Sequence, residues 1–116
     1  MTALRLGLFA AIAAAGALGW FPAKAGAETA EHSIVIRDHR FEPEELRVKA
    51  GVKVKLTVVN QDPTPEEFES FELNREKIIP GNSQAIVFIG PLKAGTYPFF
   101  GEFNMATAQG RIVAEE

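Results

Sequence analysis

The chain has 116 residues, with twelve Lys and Arg against fifteen Asp and Glu, and it contains no cysteine. That length suits one domain, and its acidic balance lacks the basic footprint that nucleic-acid binding needs. Without cysteine there are no disulfide staples, no thiolate nucleophile and no thiolate-ligated metal, so the core must hold the fold alone, for which nine phenylalanines supply bulky apolar surface.

Met1 to Arg5 is a short basic start, and Leu6 to Trp20 is apolar and uncharged. Ala25-Gly26-Ala27 then offers a small-x-small cleavage site before Glu28, and Ala23-Lys24-Ala25 offers another. This order is the signal-peptide pattern, so residues 1–27 are expected to be a cleaved leader, residues 28–116 the mature domain, and the location periplasmic. The apolar stretch is short against the about 20 residues of a membrane span; an uncleaved anchor helix is the alternative. Cleavage removes Arg5 and Lys24 and no acid, leaving 89 residues with ten basic and fifteen acidic side chains, a charge of −5. Such a domain suits a cation or a cationic partner.

Period-2 patterning dominates the mature chain. His32 to Arg37 carries Ile34 and Ile36 on one face. From Glu45 to Val58 the alternate positions Leu46, Val48, Ala50, Val52, Val54, Leu56 and Val58 are apolar, with Arg47, Lys49, Lys53, Lys55 and Thr57 between them. Ala50-Gly51 breaks this run into two strands. Glu66 to Glu76 is open between a strand and a short helix, being rich in helix-favouring Glu, Leu, Arg and Lys. Gln84 to Ile89, with Ile86 and Phe88 sharing one face, Gly95 to Phe100, and Gly110 to Ala114 read as three further strands. Turn signals at Phe41-Glu42-Pro43, Asp62-Pro63-Thr64-Pro65, Pro80-Gly81-Asn82-Ser83 and Gly90 to Gly95 separate them. Short strands with turns every 8 to 12 residues or so indicate an all-β sandwich or barrel.

Ile34 to Asn60 reads as an apolar strand, Phe-x-Pro, Leu-x-Val-x-Ala-Gly and Val-x-Val-x-Leu-x-Val-Val-Asn, which resembles the first half of a cupredoxin. Gly95-Thr96-Tyr97-x-Phe99 and the loop ending Gly110-x-Ile112-Val113 resemble the second half. The resemblance covers nearly all of residues 28–116 and implies a Greek-key β-sandwich of cupredoxin type. In the blue-copper members a His follows the Asn-x-Asp turn, and a Cys, a His and a Met follow Tyr-x-Phe. Those slots fall here at or beside Glu66 and Glu67, at Gly101, at Asn104 and at Ala108. The Cu–thiolate bond of such a centre needs the Cys, so no type 1 site and no electron transfer by that route is expected.

Glu67-Phe68-Glu69-Ser70, Leu73-x-x-Glu76-Lys77 and Phe100-Gly101-Glu102-Phe103 are similar to the cupredoxin-like components of bacterial periplasmic iron-uptake systems. These pair a high-affinity iron permease with iron- and copper-binding periplasmic proteins. The group's loop reads Gly-Glu-Phe-His, with a further His near the Phe71 position; Asn104 and Phe71 stand here instead. The resemblance implies a metal-binding accessory protein, with a copper or iron ion as cargo and a permease or another uptake component as partner. The candidate metal donors are Glu67, Glu69, Glu102, Met105 and His39, with Glu66 weighed beside Glu67. In an extended strand Glu67 and Glu69 share a face about 7 Å apart. The resemblance places the loop of Glu102 and Met105, and the turn of His39, near the same end. The blander alternatives are a solvated acidic loop at Glu66-Glu67, ion pairing of Glu69 with Arg75 or Lys77, packing by Met105 and an exposed turn at His39.

Two other roles stay open: a metal-free scaffold that docks on a permease or oxidase, and a copper-delivery or resistance carrier. A symmetric dimer sharing one metal at the acidic end is a further expectation. No nucleophile–His arrangement, phosphate loop or His cluster is present, so no enzyme activity is expected.

Overall fold

The computed structural model describes residues 28–116; the expected leader, residues 1–27, lies outside the described residues. Among the described residues nine strands run in chain order: β1 Thr29–Arg37, β2 Arg40–Glu42, β3 Glu45–Lys49, β4 Lys53–Asn60, β5 Glu66–Ser70, β6 Arg75–Ile79, β7 Ser83–Ile89, β8 Gly95–Gly101 and β9 Gln109–Glu115. One 3-10 turn, Glu102–Asn104, interrupts the β8–β9 connection. The strands form a four-stranded sheet, ordered β2-β1-β4-β7, and a five-stranded sheet, ordered β3-β9-β8-β5-β6. β1 with β4 and β3 with β9 are parallel; the other pairs are antiparallel. The expected all-β sandwich is the observed fold.

The alternating run splits where expected: Gly51 takes φ +80° in the turn between β3 and β4, a left-handed conformation that glycine adopts without steric cost. Leu46, Val48, Val54, Leu56 and Val58 then point inward with Ile34, Ile36, Val87, Ile89 and Ile112. Ile86 and Phe88 share the outer face of β7 and are exposed. Between the sheets Phe41, Phe68 and Phe99, from β2, β5 and β8, are all but fully buried. Their ring centroids lie 4.9 to 6.2 Å apart, within the range of favourable aromatic pairs.

The segment left open between strand and helix is a hairpin, β5 and β6, turned at Phe71 to Asn74, where Asn74 has φ +56°. The loop before β5 is pinned by Asn60. Its buried amide donates to the carbonyls of Thr64, Ile79 and Pro80, and its Oδ1 accepts from Asp62 N–H. Asp62 in turn accepts the backbone N–H groups of Asp38 and His39. These bonds satisfy polar groups that burial would otherwise leave costly, and they fix where β5 begins.

A filled ligand pocket and an outer-face carboxylate group

Phe68 points into the core, so alternation along β5 sends Glu66 and Ser70 inward as well and Glu67 and Glu69 to the outer face of the five-stranded sheet. The two inward polar residues are both satisfied. Ser70 Oγ donates to Pro98 O and accepts from Leu73 N–H. The Glu66 side chain, 1% exposed, accepts from Glu67 N–H at 2.9 Å, Phe103 N–H at 2.8 Å and Asn104 Nδ2 at 2.9 Å.

The four slots where blue-copper relatives carry ligands therefore do converge, and they are filled from within. A Cβ placed on Gly101 would lie 2.6 Å from the Glu66 carboxylate and 2.7 Å from the Ala108 Cβ. Glu66 and Ala108 thus occupy the space beside Gly101 where a Cys side chain would stand. A type 1 copper centre does not fit these residues: its thiolate, imidazole and thioether donors are replaced by a glycine, a carboxylate, an amide and a methyl group. The idea of a solvated acidic loop fails at Glu66, because its oxygens are enclosed by donors. Gly101→Ala is expected to destabilise the domain by about 1–3 kcal/mol through overpacking, read as a lower midpoint in urea with an unchanged slope.

The outer-face acids meet a different environment. Glu69 lies opposite Glu76 on β6, and Glu67 lies opposite Ile78. Glu67, Glu69 and Glu76 each offer a carboxylate oxygen within 4.8 Å of the others. Glu102, from the 3-10 turn, reaches hydrogen-bonding distance of both Glu69 and Glu67. Among the described residues no Lys or Arg forms an ion pair with any of the four. The pairing of Glu69 with Arg75 or Lys77 does not form; Arg75 instead donates to the carbonyls of Phe88 and Asn74.

Crowding of like charges raises the proton affinity of the group. A hydrogen bond shared with Glu102, desolvation, and the charges of Glu102, Glu76 and Glu67 push Glu69 up to about 7. Glu67 is raised too, first by desolvation, then by its contact with Glu76 and the charge of Glu102. Two oxygens on opposite sides of one cation, each bound at about 2.0–2.5 Å, stand about 4–5 Å apart. The observed spacing is therefore of the size an oxygen-ligated ion requires.

Of the five expected donors, Glu67, Glu69 and Glu102 come together. His39 stands apart from them: its Nδ1 is 3.5 Å from Asp62 Oδ2, and the turn's positive φ at Asp38 and His39 presents its backbone to Asp62 and to Thr107 Oγ1. Met105 ends the turn that carries Glu102 and is largely exposed. Glu76 was not among the expected donors; only the β5–β6 register brings it to Glu69.

Residues 8–114 match the family described as Cupredoxin-like domain. An uncharacterized protein, RP394, of Rickettsia prowazekii (strain Madrid E) is 40% identical over 95 residues, covering 82% of this chain and 76% of that protein. Among solved structures, auracyanin A, a blue copper protein of Chloroflexus aurantiacus, superposes with a TM-score of 0.65 at 17% identity, over 74% of this chain and 98% of its own. The metal-binding domain of the Cu(I)-exporting ATPase CopA of Streptococcus pneumoniae D39, solved with Cu(I), gives 0.65 at 15% identity, over 77% and 97%. These two likenesses lie in the fold, while the match of residues 8–114 spans nearly the whole chain: this protein is a member of the cupredoxin-like domain family, built on the family's sandwich with its blue-copper ligand slots closed.

Proposed function

We propose that this chain is an exported, periplasmic metal-binding accessory protein of iron uptake with a copper link. It takes a cation between Glu67, Glu69, Glu76 and Glu102 and passes it to a permease or another uptake component. One observation carries this reading. Glu67 keeps only 9% of its exposure, yet its carboxyl group faces other carboxyl groups and no basic side chain. A nearly buried carboxylate in that position costs free energy until a proton or a metal ion joins it. An all-carboxylate donor set favours hard cations over Cu(I). A copper-delivery role is less well supported: His39 is engaged with Asp62, and Met105 is the one methionine outside the leader. The iron-uptake setting rests on the loop and strand motifs that resemble those periplasmic components, and the location rests on the leader pattern.

A second reading has its own observation. Phe71, Ile78, Phe103 and Met105 are exposed on or next to the elements that carry the four acids, and Phe71 packs edge-on to Phe100 at 5.5 Å. An acidic patch with apolar residues around it also suits docking on a basic protein face without any metal. Titration of residues 28–116 with Cu(II) and, anaerobically, with Fe(II), followed by gel filtration and metal analysis, separates the two. Retention of one ion per chain with Kd at or below about 1 μM, about 8 kcal/mol of binding, is the expected result. Retention no better than that of any acidic protein would leave only the docking role.

A further inference from the structure

Glu66 is the most deeply buried acid of the described domain. A carboxylate in that setting is tolerated only when its oxygens are met by donors, and two of its three donors come from one place. Phe103 N–H and Asn104 Nδ2 both belong to the Glu102–Asn104 turn. Beyond Glu66, the chain around that turn is tied to β5 through the ladder at Gly101, which pairs with Phe68, and to the β1–β2 turn through Thr107 Oγ1, which donates to His39 O; neither bond reaches the turn residues themselves. Glu102–Asn104 is a single 3-10 turn with no side-chain cap at Gly101 and no buried residue of its own. Backbone bonds from Gly101 N–H to Ala108 O and from Ala108 N–H to Asn104 O close the loop around it, but they tie the loop to itself and not to β5.

Glu102 immediately precedes the two residues that Glu66 holds. Its carboxyl group shares a hydrogen bond with Glu69 and bears on Glu67; once Glu69 is ionised, like charge pushes it toward solvent. We infer that Glu66 is a positioning residue. Its carboxylate fills the ligand pocket and latches the 3-10 turn to β5, so that Glu102 is kept in the carboxylate group against that repulsion. The inference takes its functional meaning from the proposed cation site, while the latch itself is a matter of geometry. Glu66 and Glu67 thus divide the work of neighbouring positions on one strand, the inward one fixing the loop and the outward one facing the ion.

The test combines a metal-free measurement with a double-mutant cycle. Without metal, hydrogen exchange at the Phe103 amide is expected to speed up about tenfold or more in Glu66→Ala, while amides of β1 and β4 stay protected. Glu66→Gln keeps an oxygen that accepts from Phe103, and its exchange is expected to match the unsubstituted chain. With Cu(II) as probe, Glu66→Ala is expected to weaken binding about 10–100-fold, as removal of an outer partner of a metal ligand does. The same substitution placed on Glu102→Ala is expected to add less than about threefold, because the group it positions is gone. Asn104→Ala cuts one anchor without opening the core and guards against misfolding of Glu66→Ala; about a fivefold loss is expected. Unchanged exchange at Phe103 in both Glu66→Ala and Asn104→Ala, or fully additive losses in the cycle, would overturn the assignment. If the unsubstituted chain binds no ion but Phe103 exchange responds as described, the latch stands and the cation reading falls.

Discussion

Replacing Phe68 by alanine is expected to lower the unfolding free energy by about 3–5 kcal/mol. Phe68 has no exposed surface, and its ring sits against Phe99 at 4.9 Å and Phe41 at 6.2 Å. The three rings come from both sheets, so the void cannot be closed by moving one strand. A domain of this size has about 5–15 kcal/mol in total, and each kcal/mol is worth about 4–8 °C at the midpoint. The loss is therefore a large fraction of the stability, read as a drop of well over 10 °C. Phe71→Ala is the control. Phe71 is 73% exposed, and a surface change of that kind is expected to stay within about 0.5 kcal/mol. Equal losses in the two variants would show that the aromatic cluster is not the centre of the core. Phe68 also lies between Glu67 and Glu69 on β5, so loosening it should weaken cation binding in a variant that still folds.

The strands that were legible in the sequence are those with one apolar and one polar face. Leu46 to Val58 alternates cleanly, and both β3 and β4 follow it, with Gly51 at the break. β5 and β6 carry no such signal. Glu66 and Ser70 point inward although they are polar, and they can do so only because Phe103, Asn104, Leu73 and Pro98 supply partners from distant or later residues. β6 is exposed at Arg75 through Ile78, so its pattern is no clearer. Glu76 was hidden for the same reason: its place beside Glu69 is a fact of hairpin register, and the hairpin itself was undecided. The ligand slots were legible by spacing, since Glu66, Gly101, Asn104 and Ala108 do meet. That Glu66 would close the pocket was not, because charge alone suggests an exposed acid. The parallel pairing of β1 with β4 and of β3 with β9 is likewise invisible to periodicity, which marks strands and not their neighbours.

Glu69→Gln is expected to make the metal-free domain more stable at pH 8 and to weaken Cu(II) binding at least about tenfold. Both effects come from one cause. Glu69 is raised from its ordinary 4.5 to about 7 in the fold. A carboxyl group whose folded pKa lies above its unfolded value binds more protons when folded, so its contribution to stability is fullest below about 4.5 and is lost as pH rises through about 7. Glutamine carries no charge at any of these pH values and can still donate to Glu102. The thermal midpoints of the two apo proteins should thus run close together near pH 5 and separate progressively toward pH 8, with the variant above. Excess Cu(II) should reverse the order, because an ion at one hundred times its Kd adds about 2.7 kcal/mol to the folded state, a gain the variant largely forfeits. A plain surface cluster would show the first effect without the second. An ion-pair network would show the opposite pH trend, the one expected of Glu45, whose hydrogen bond to Arg111 holds its pKa below the ordinary value. A group that weakens its own fold at pH 8 and recovers that loss on binding an ion behaves as a binding site, and the crossing of the two midpoints is the result that distinguishes it from an accident of surface charge.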